Sequence, residues 1–155
     1  HTTMKHPLNK ILASQRQLCE IHYKSLNQFN VRIVNTIAEM SGIQPWMIFA
    51  VSRNRTIIDC RKILAYVLRM KTDYNLKDIG RIICHIEQDH TTARHAILTT
   101  KDLMSTDDTF RANVHSIMST VPYKKTATIV NNAIAMPLPT LTAFQIAAIS
   151  RRVVV

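Results

Sequence analysis

Residues 75–97 read NLKDIGRIICHIEQDHTTARHAI, and this stretch decides the fold. Asn75 followed three residues later by Asp78 resembles a capping box and predicts a short helix, with its isoleucines turned inward. Asp89 is a good N-cap for a second helix, which the apolar pattern predicts over residues 90–104. A short helix, a connection and a second helix with a polar first turn are the organisation of a helix-turn-helix.

The chain on both sides of this stretch is also patterned for helices, and no segment alternates as a β-strand does. The inner faces of the first two helices include Leu18 and Met40, and Trp46 and Phe49 are predicted to lie in the core. Further helices are predicted over 8–29, over 31–41 and from Pro45, and Gly42 is expected to end the second of them. A basic loop at 51–58 precedes a predicted helix over 59–70, and Asp107-Asp108 begins the last one. We therefore predict an all-α fold for residues 8–121.

The 155 residues include only two glycines, Gly42 and Gly80, and this excludes several enzyme classes. A phosphate-binding P-loop needs two glycines five positions apart, a dinucleotide fingerprint needs three, and a nucleophile elbow needs two around a serine. Two glycines 38 positions apart form none of these motifs. An NTPase, a nicotinamide-dependent enzyme and a serine hydrolase are therefore not expected. Together with the helix-turn-helix pattern, this predicts no enzymatic activity, no cofactor and no small-molecule substrate.

The charge balance indicates an anionic partner. Lys and Arg total 20 against 10 Asp and Glu, which gives a formal net charge of +10. Six of the cations but only one acid, Asp59, lie between residues 53 and 71, and no acid follows Asp108. At this chain length such a balance favours nucleic acid or another anionic surface, although a merely solvated basic surface is the alternative.

The cysteines and the termini say less about function. Three widely spaced cysteines without a Cys-x-x-Cys pair predict reduced thiols in a cytoplasmic protein, and the N-terminus lacks a secretory apolar core. Residues 126–150 carry no charge, but their Asn, Gln, Pro and Thr residues argue against a membrane-spanning helix. Residues 122–155 are predicted to form either a short packed helix over 141–150 or a tail.

The first turn of the second helix, Asp-His-Thr-Thr at 89–92, carries short polar side chains that suit the major groove of DNA. A Thr methyl can contact a thymine methyl, a His can accept a hydrogen bond, and an Asp can accept one from cytosine N4. Arg94 and Lys101 follow on the outer face, where they would reach phosphates. The alternative for Asp89 is a helix cap alone, and capping and base contact are compatible.

Two other chemistries are suggested by the same residues and are not predicted. His85, His90 and His95 with Cys84 invite a zinc interpretation, but the paired short spacings of a zinc site are missing. Asp89-His90 beside a threonine resembles an acid–base cluster, but a helix N-terminus facing DNA explains it better. We expect neither a metal site nor a catalytic residue.

Residues 75–82 together with 89–97 resemble the C-terminal DNA-binding domain of the bacterial replication initiator DnaA, whose Asp-His-Thr/Ser-Thr-x-x-His-Ala helix is distinctive. The similarity extends over 33–43, over the basic segment 52–55, over 61–68 and over 107–121. It implies a multi-helix, Trp-repressor-like helix-turn-helix domain over residues 31–121. Residues 1–30 would then be an N-terminal helical extension and residues 122–155 a low-charge tail.

The resemblance also implies which residues contact DNA. Arg55 falls where the family's basic-loop arginine enters the minor groove, and residues 89–92 fall where major-groove contacts arise. Phosphate contacts are implied at Thr56, Lys62 and Arg69, whereas His95 matches a second signature histidine that we interpret as mainly structural. The predicted DNA-binding residues are Arg53, Arg55, Thr56, Lys62, Arg69, Gln88, Asp89, His90, Thr91, Thr92 and Arg94.

This sequence departs from the family pattern at three points. Gln88 stands where the family usually has an arginine, and the turn at 84–88 is longer and lacks the family's glycines. With only two glycines, the family's ATPase module is not expected either.

We predict a stand-alone, non-enzymatic protein that binds double-stranded DNA at DnaA-box-like sites, in replication initiation or its regulation. It would act in the bacterial cytoplasm or nucleoid, and a free-standing domain of this kind suits a phage or mobile element. Residues 1–30 would be available for a partner or for self-association. The alternative is a helical interaction or structural protein that has lost specific DNA readout, which Gln88 and the long turn motivate.

Overall fold

A computed structural model describes residues 7–124, with side chains from residue 13 onward, and this part of the chain contains helices and no strand. The helices are α1 (Pro7–Ser25), α2 (Gln28–Ser41), a 3-10 helix (Pro45–Phe49), α3 (Arg55–Lys71), α4 (Leu76–Ile82), α5 (His90–Thr106) and α6 (Asp108–Thr120). The all-α prediction is confirmed. The predictions for the uncharged segment 126–150 and its helix over 141–150 lie outside the described residues.

The predicted first helix over 8–29 is wrong at its C-terminal end. The helix stops at Ser25, and a second helix begins after Asn27, whose side chain accepts a hydrogen bond from Asn30 N–H at 2.8 Å. The apolar pattern runs across this break without interruption, so only the capping asparagine marks it. The second helix ends as predicted at Gly42, which adopts the left-handed conformation with φ 73°.

The predicted basic loop over 51–58 is also too long. Asn54 caps α3 by accepting a hydrogen bond from Ile57 N–H at 3.3 Å, so that the helix begins at Arg55 instead of at Asp59. The loop is therefore confined to residues 51–54, and we call it the 51–54 loop. Arg55 and Thr56 lie in the first helical turn, where the backbone holds them more firmly than a loop would.

The caps predicted around the helix-turn-helix are confirmed. Asp78 N–H donates to Asn75 Oδ1 at 2.8 Å, and Asn75 N–H donates to Asp78 Oδ2 at 3.3 Å, which completes the capping box of α4. Asp89 caps α5, and Asp107 caps α6 through a 3.0 Å hydrogen bond from Phe110 N–H.

Helix α3 lies at the centre of the core and packs against α2, α4, α5 and the 3-10 helix. The largest fully buried side chains include Phe49, Ile33, Ile37, Leu64, Leu68, Ile79, Ile83 and Ile117. Trp46 and Phe49 are buried as predicted. Burial of this many large apolar side chains is what supplies most of the stability of a domain of this size.

Leu18 and Met40, predicted on inner faces, are exposed. Among the α1 residues with described side chains, 13–25, the fully buried one is Cys19, and its neighbour Leu18 is therefore rotated by about 100° toward solvent, where 55% of it is accessible. The inner face of α1 rests on the 3-10 helix: the Arg16 guanidinium lies 5.2 Å from the centre of the Trp46 ring. One-sided packing of this kind explains why a broad apolar pattern is only partly buried.

The three cysteines are unpaired and buried, in agreement with the prediction of free thiols. Burial raises the pKa of Cys19 to about 11, with a further contribution from Cys84. Along residues 7–124 no helix combines the length and the apolar character that a membrane crossing needs.

Candidate nucleic-acid interface

The connection between α4 and α5 folds back onto α4 at Gly80. Gln88 N–H donates to the Gly80 carbonyl at 3.0 Å, and a Cβ at position 80 would lie only 2.3 Å from the Gln88 carbonyl oxygen. His85 N–H also donates to the Phe49 carbonyl at 3.1 Å, which ties the turn to the 3-10 helix. The connection is long in sequence, but these contacts fix it tightly.

The first turn of α5 presents four exposed polar side chains, at residues 89–92. Asp89 Oδ1 accepts a hydrogen bond from Thr92 N–H at 2.9 Å. The hydrogen bonds from the Thr92 N–H and hydroxyl hold the pKa of the Asp89 carboxyl below its usual value. Asp89 therefore caps the helix as an anion while its exposed side remains available to an external donor.

Because the folded state lowers the pKa of Asp89, the cap makes the free energy of unfolding decrease at low pH. The contribution of Asp89 is present above the pKa of the unfolded chain, about 3.9, and is lost as the pH falls through the lower folded value. We expect Asp89→Asn, which keeps a capping oxygen but cannot titrate, to flatten this part of the pH dependence. Urea unfolding at several pH values between about 4 and 2 tests it, and identical slopes for the two proteins would contradict it.

The remaining predicted residues of this element differ in their availability. Arg94 is exposed on α5. Gln88 is half-buried, and its side-chain amide donates to the Ile86 carbonyl at 3.2 Å, within the turn itself. The structural interpretation of His95 is not supported, because the side chain is exposed and its Nε2 lies 3.5 Å from Thr99 Oγ1 one turn later.

The basic residues predicted to bind DNA lie in and after the 51–54 loop. Arg53 and Thr56 are exposed, and Arg55 has 72% of its side chain accessible while it forms an ion pair with Asp59 at 3.3 Å. Further along α3, Lys62 is half-buried, and Arg69 is exposed with its Nη1 3.4 Å from the Tyr74 carbonyl. Because α3 packs directly against α5, the two groups of predicted residues stand on adjoining helices.

Arg61 belongs to the same basic stretch but serves the fold. Its Nη1 donates to the carbonyls of Ile48 and Ala50, at the C-terminal end of the 3-10 helix. Burial lowers its pKa, and nearby cysteine sulfurs act in the opposite direction. The helical spacing contains a signal for this role, since Arg61 falls four residues after Ile57 and three before Leu64, both of which are buried.

In the part of the chain that the structure describes, no three His, Cys, Asp or Glu side chains converge so that they could hold a metal ion. Cys84, from the alternative zinc set, is buried with its Sγ 3.3 Å from the Phe49 carbonyl oxygen. His90 and His95 are exposed on α5.

A capped helix, a turn pressed onto it and a second helix with an exposed polar first turn define a helix-turn-helix domain. The family model of the bacterial DnaA protein helix-turn-helix matches residues 31–99. These residues carry a DnaA-type helix-turn-helix domain, so that the resemblance seen in the sequence is confirmed.

Curated relatives give the same result. The chromosomal replication initiator protein DnaA of Bacteroides thetaiotaomicron is 29% identical over 92 residues, which cover 59% of this chain and 19% of that protein. The DnaA of Bacteroides fragilis is 28% identical over 85 residues (55% of this chain, 17% of that protein), and the DnaA of Deinococcus radiodurans is 27% identical over 93 residues (60% and 19%). The chain therefore spans about a fifth of the length of these relatives.

Proposed function

We propose that this chain binds double-stranded DNA at DnaA-box-like sites and acts in replication initiation or its regulation. The observation that carries the proposal is the DnaA-type helix-turn-helix over 31–99, in which the first turn of α5 exposes Asp89, His90, Thr91 and Thr92 together. A recognition helix reads base edges in the major groove with its N-terminal residues. The positions and the residue types both suit that task.

The proposal assigns different tasks to the two adjoining helices. Residues 89–92, the cap and first turn of α5, contact base edges, and Arg94 contacts a phosphate from the next turn. Arg53, in the 51–54 loop, and Arg55, the first residue of α3, enter the neighbouring minor groove, while Thr56, Lys62 and Arg69 contact phosphates. Contacts to phosphate position a protein on the duplex, whereas contacts in the grooves select the sequence.

Arg55 is available for this role although it pairs with Asp59. The arginine lies at the surface with 72% of its side chain accessible, whereas Asp59 is half-buried with 27% accessible. Pairs of this kind contribute about 0–1 kcal/mol because water and salt screen them. A phosphate-rich groove can therefore take the guanidinium from Asp59 at little cost.

Fluorescence anisotropy with a duplex that carries a DnaA-type box and with a scrambled duplex, each at two salt concentrations, tests the proposal. We expect binding to the box to be tighter by about a thousandfold or more, as for other site-specific proteins. Equal and steeply salt-dependent binding to both duplexes would contradict specific readout. No binding to either duplex would favour a helical interaction protein instead.

The division of tasks predicts different behaviour for two alanine variants. Arg55→Ala should weaken binding to the box by about 1–3 kcal/mol, because a groove contact is lost. Lys62→Ala should weaken binding to both duplexes alike and reduce the salt slope by about one, because one phosphate contact is lost. The same anisotropy titrations measure both effects.

Lys24→Ala is the matched control, since Lys24 is an exposed cation on α1 and is assigned no DNA contact. It should bind both duplexes as the wild type does. Equal losses for Arg55→Ala and Lys62→Ala on box and scrambled DNA would contradict the assignment of roles.

A further inference from the structure

We propose that Gln15 of α1 is a positioning residue that holds the 51–54 loop at a fixed place beside the helix-turn-helix. The inference rests on the proposed DNA-binding function and adds a residue that contacts no DNA. Helix α1 precedes residues 31–99, the segment that matches the family model, so this contact involves a helix outside the matched domain.

Gln15 pairs with the backbone at the start of the loop. Its Nε2 donates to the Val51 carbonyl at 2.8 Å, and its Oε1 accepts from Val51 N–H at 2.7 Å. The side-chain amide thus satisfies both polar backbone groups of a residue that lies two positions before Arg53. A side chain that copies strand-like pairing in this way fixes both the position and the orientation of the peptide it holds.

The same amide reaches the turn of the helix-turn-helix. His85 Nε2 lies 3.0 Å from Gln15 Oε1, so that the tautomer with a proton on Nε2 donates to it. Burial lowers the pKa of His85, with further lowering by the charges of His22 and Arg61, and this favours the neutral ring. One oxygen atom of Gln15 is therefore shared between the loop and the turn.

A second contact fixes α1 against the turn. His22 Nε2 lies 2.8 Å from the Ile82 carbonyl oxygen at the end of α4, and the His22 ring meets the Phe49 ring edge-on with 4.7 Å between the centroids. His22 and Gln15 lie seven residues apart, two helical turns, and so share one face of α1. The His22 contacts therefore fix this face of α1 against the end of α4, and with it the position of Gln15.

This arrangement affects specificity because the loop and α5 must fit two grooves at once. If Val51 is released, the loop samples more conformations in the free protein and must be ordered again on DNA. The conformational entropy lost when one residue of backbone becomes ordered on binding weakens the affinity by about tenfold. Contacts to phosphate from side chains on α3 do not depend on the loop and should be retained.

The test compares Gln15→Ala with Gln17→Ala, which removes an exposed glutamine from another face of α1. We expect Gln15→Ala to bind the box duplex about tenfold more weakly, with unchanged binding to scrambled DNA and an unchanged salt slope. In the free protein, ¹⁵N relaxation should show higher mobility at the Ser52 and Arg53 amides. Gln17→Ala should behave as the wild type in every measurement.

Gln15→Glu separates positioning from general loss of stability. It keeps the shape of the side chain and an acceptor for Val51 N–H and His85, but it turns a carboxylate oxygen toward the Val51 carbonyl oxygen, which repels it. We therefore expect loop mobility and a loss of affinity for the box at least as large as in Gln15→Ala. Wild-type binding of the box by Gln15→Ala, or unchanged loop mobility, would overturn the inference. If the wild type itself fails to distinguish the two duplexes, the proposed function fails, and the relaxation data still decide whether Gln15 holds the loop.

Discussion

Gly80→Ala should destabilise the protein by about 3 kcal/mol, although alanine is the better helix former. In an exposed helix interior the exchange would stabilise by about 1 kcal/mol. Here the added Cβ would lie 2.3 Å from the Gln88 carbonyl oxygen, 3.0 Å from the Gln88 carbonyl carbon and 3.1 Å from the Asp89 carbonyl oxygen. All three atoms belong to the backbone, so no side chain can rotate away, and the turn itself must move off α4.

Urea unfolding measures the effect, and Gly42 supplies the control. Gly42 has φ 73°, and a methyl group added there would meet open space, since nothing lies within 4 Å of it. Gly42→Ala should cost about 1–2 kcal/mol from backbone strain alone, and Gly42→Asn should recover part of this because asparagine tolerates the left-handed region. Gly80→Asn should be no better than Gly80→Ala. A Gly80→Ala protein as stable as the wild type would show that the turn is not held where the structure has it.

The displaced turn should also impair recognition. Gln88 N–H donates to the Gly80 carbonyl, and the next residue is Asp89, the cap of α5. A shift at position 80 is therefore transmitted directly to the first turn of the recognition helix. Under the proposed function, Gly80→Ala that remains folded should lose preference for the box while it keeps salt-dependent binding to any duplex.

The parts of the fold that could be predicted from the sequence are those with a local cause. Asn75 with Asp78, Asp89 and Gly42 act on backbone groups within a few residues, and each defines a helix end as predicted. Asn27 and Asn54 cap α2 and α3 by the same local mechanism. These two helix ends were not predicted, because Asn27 lies within a continuous apolar pattern and Asn54 within a basic run. The exposed face of α1 could not be predicted, because it depends on packing against the 3-10 helix.

In the candidate site too, the residues with a local sequence signal could be predicted and those with long-range contacts could not. The resemblance to the DnaA family placed residues 89–92, Arg53 and Arg55 at positions that prove to be exposed. Gln15 could not be found, because its partners Val51 and His85 lie 36 and 70 residues away in the chain. Long-range hydrogen bonds of this kind leave no periodic signal in a single sequence.

Arg61→Ala should reduce the free energy of unfolding by about 3 kcal/mol, whereas Arg55→Ala should leave it nearly unchanged. The two arginines stand six residues apart in one basic stretch and look equivalent in the sequence. Arg61 donates to two carbonyls at the end of the 3-10 helix, and hydrogen bonds from charged groups contribute about 1.5–3 kcal/mol each. Arg55 makes only an ion pair in which its own side chain is 72% accessible, which contributes about 0–1 kcal/mol.

Both variants should bind the box more weakly, but for different reasons. Arg55→Ala lowers affinity for the box by removal of a direct contact, with its unfolding midpoint retained. Arg61→Ala releases the Ala50 carbonyl, one residue before Val51, so the 51–54 loop loses one of the contacts that hold its N-terminal end, and specificity falls together with stability. Arg61→Lys should recover only part of the loss, because one ammonium group on a shorter side chain cannot reproduce the reach of the guanidinium. Wild-type stability of Arg61→Ala would contradict the structural role and would make Arg61 a new candidate for DNA contact.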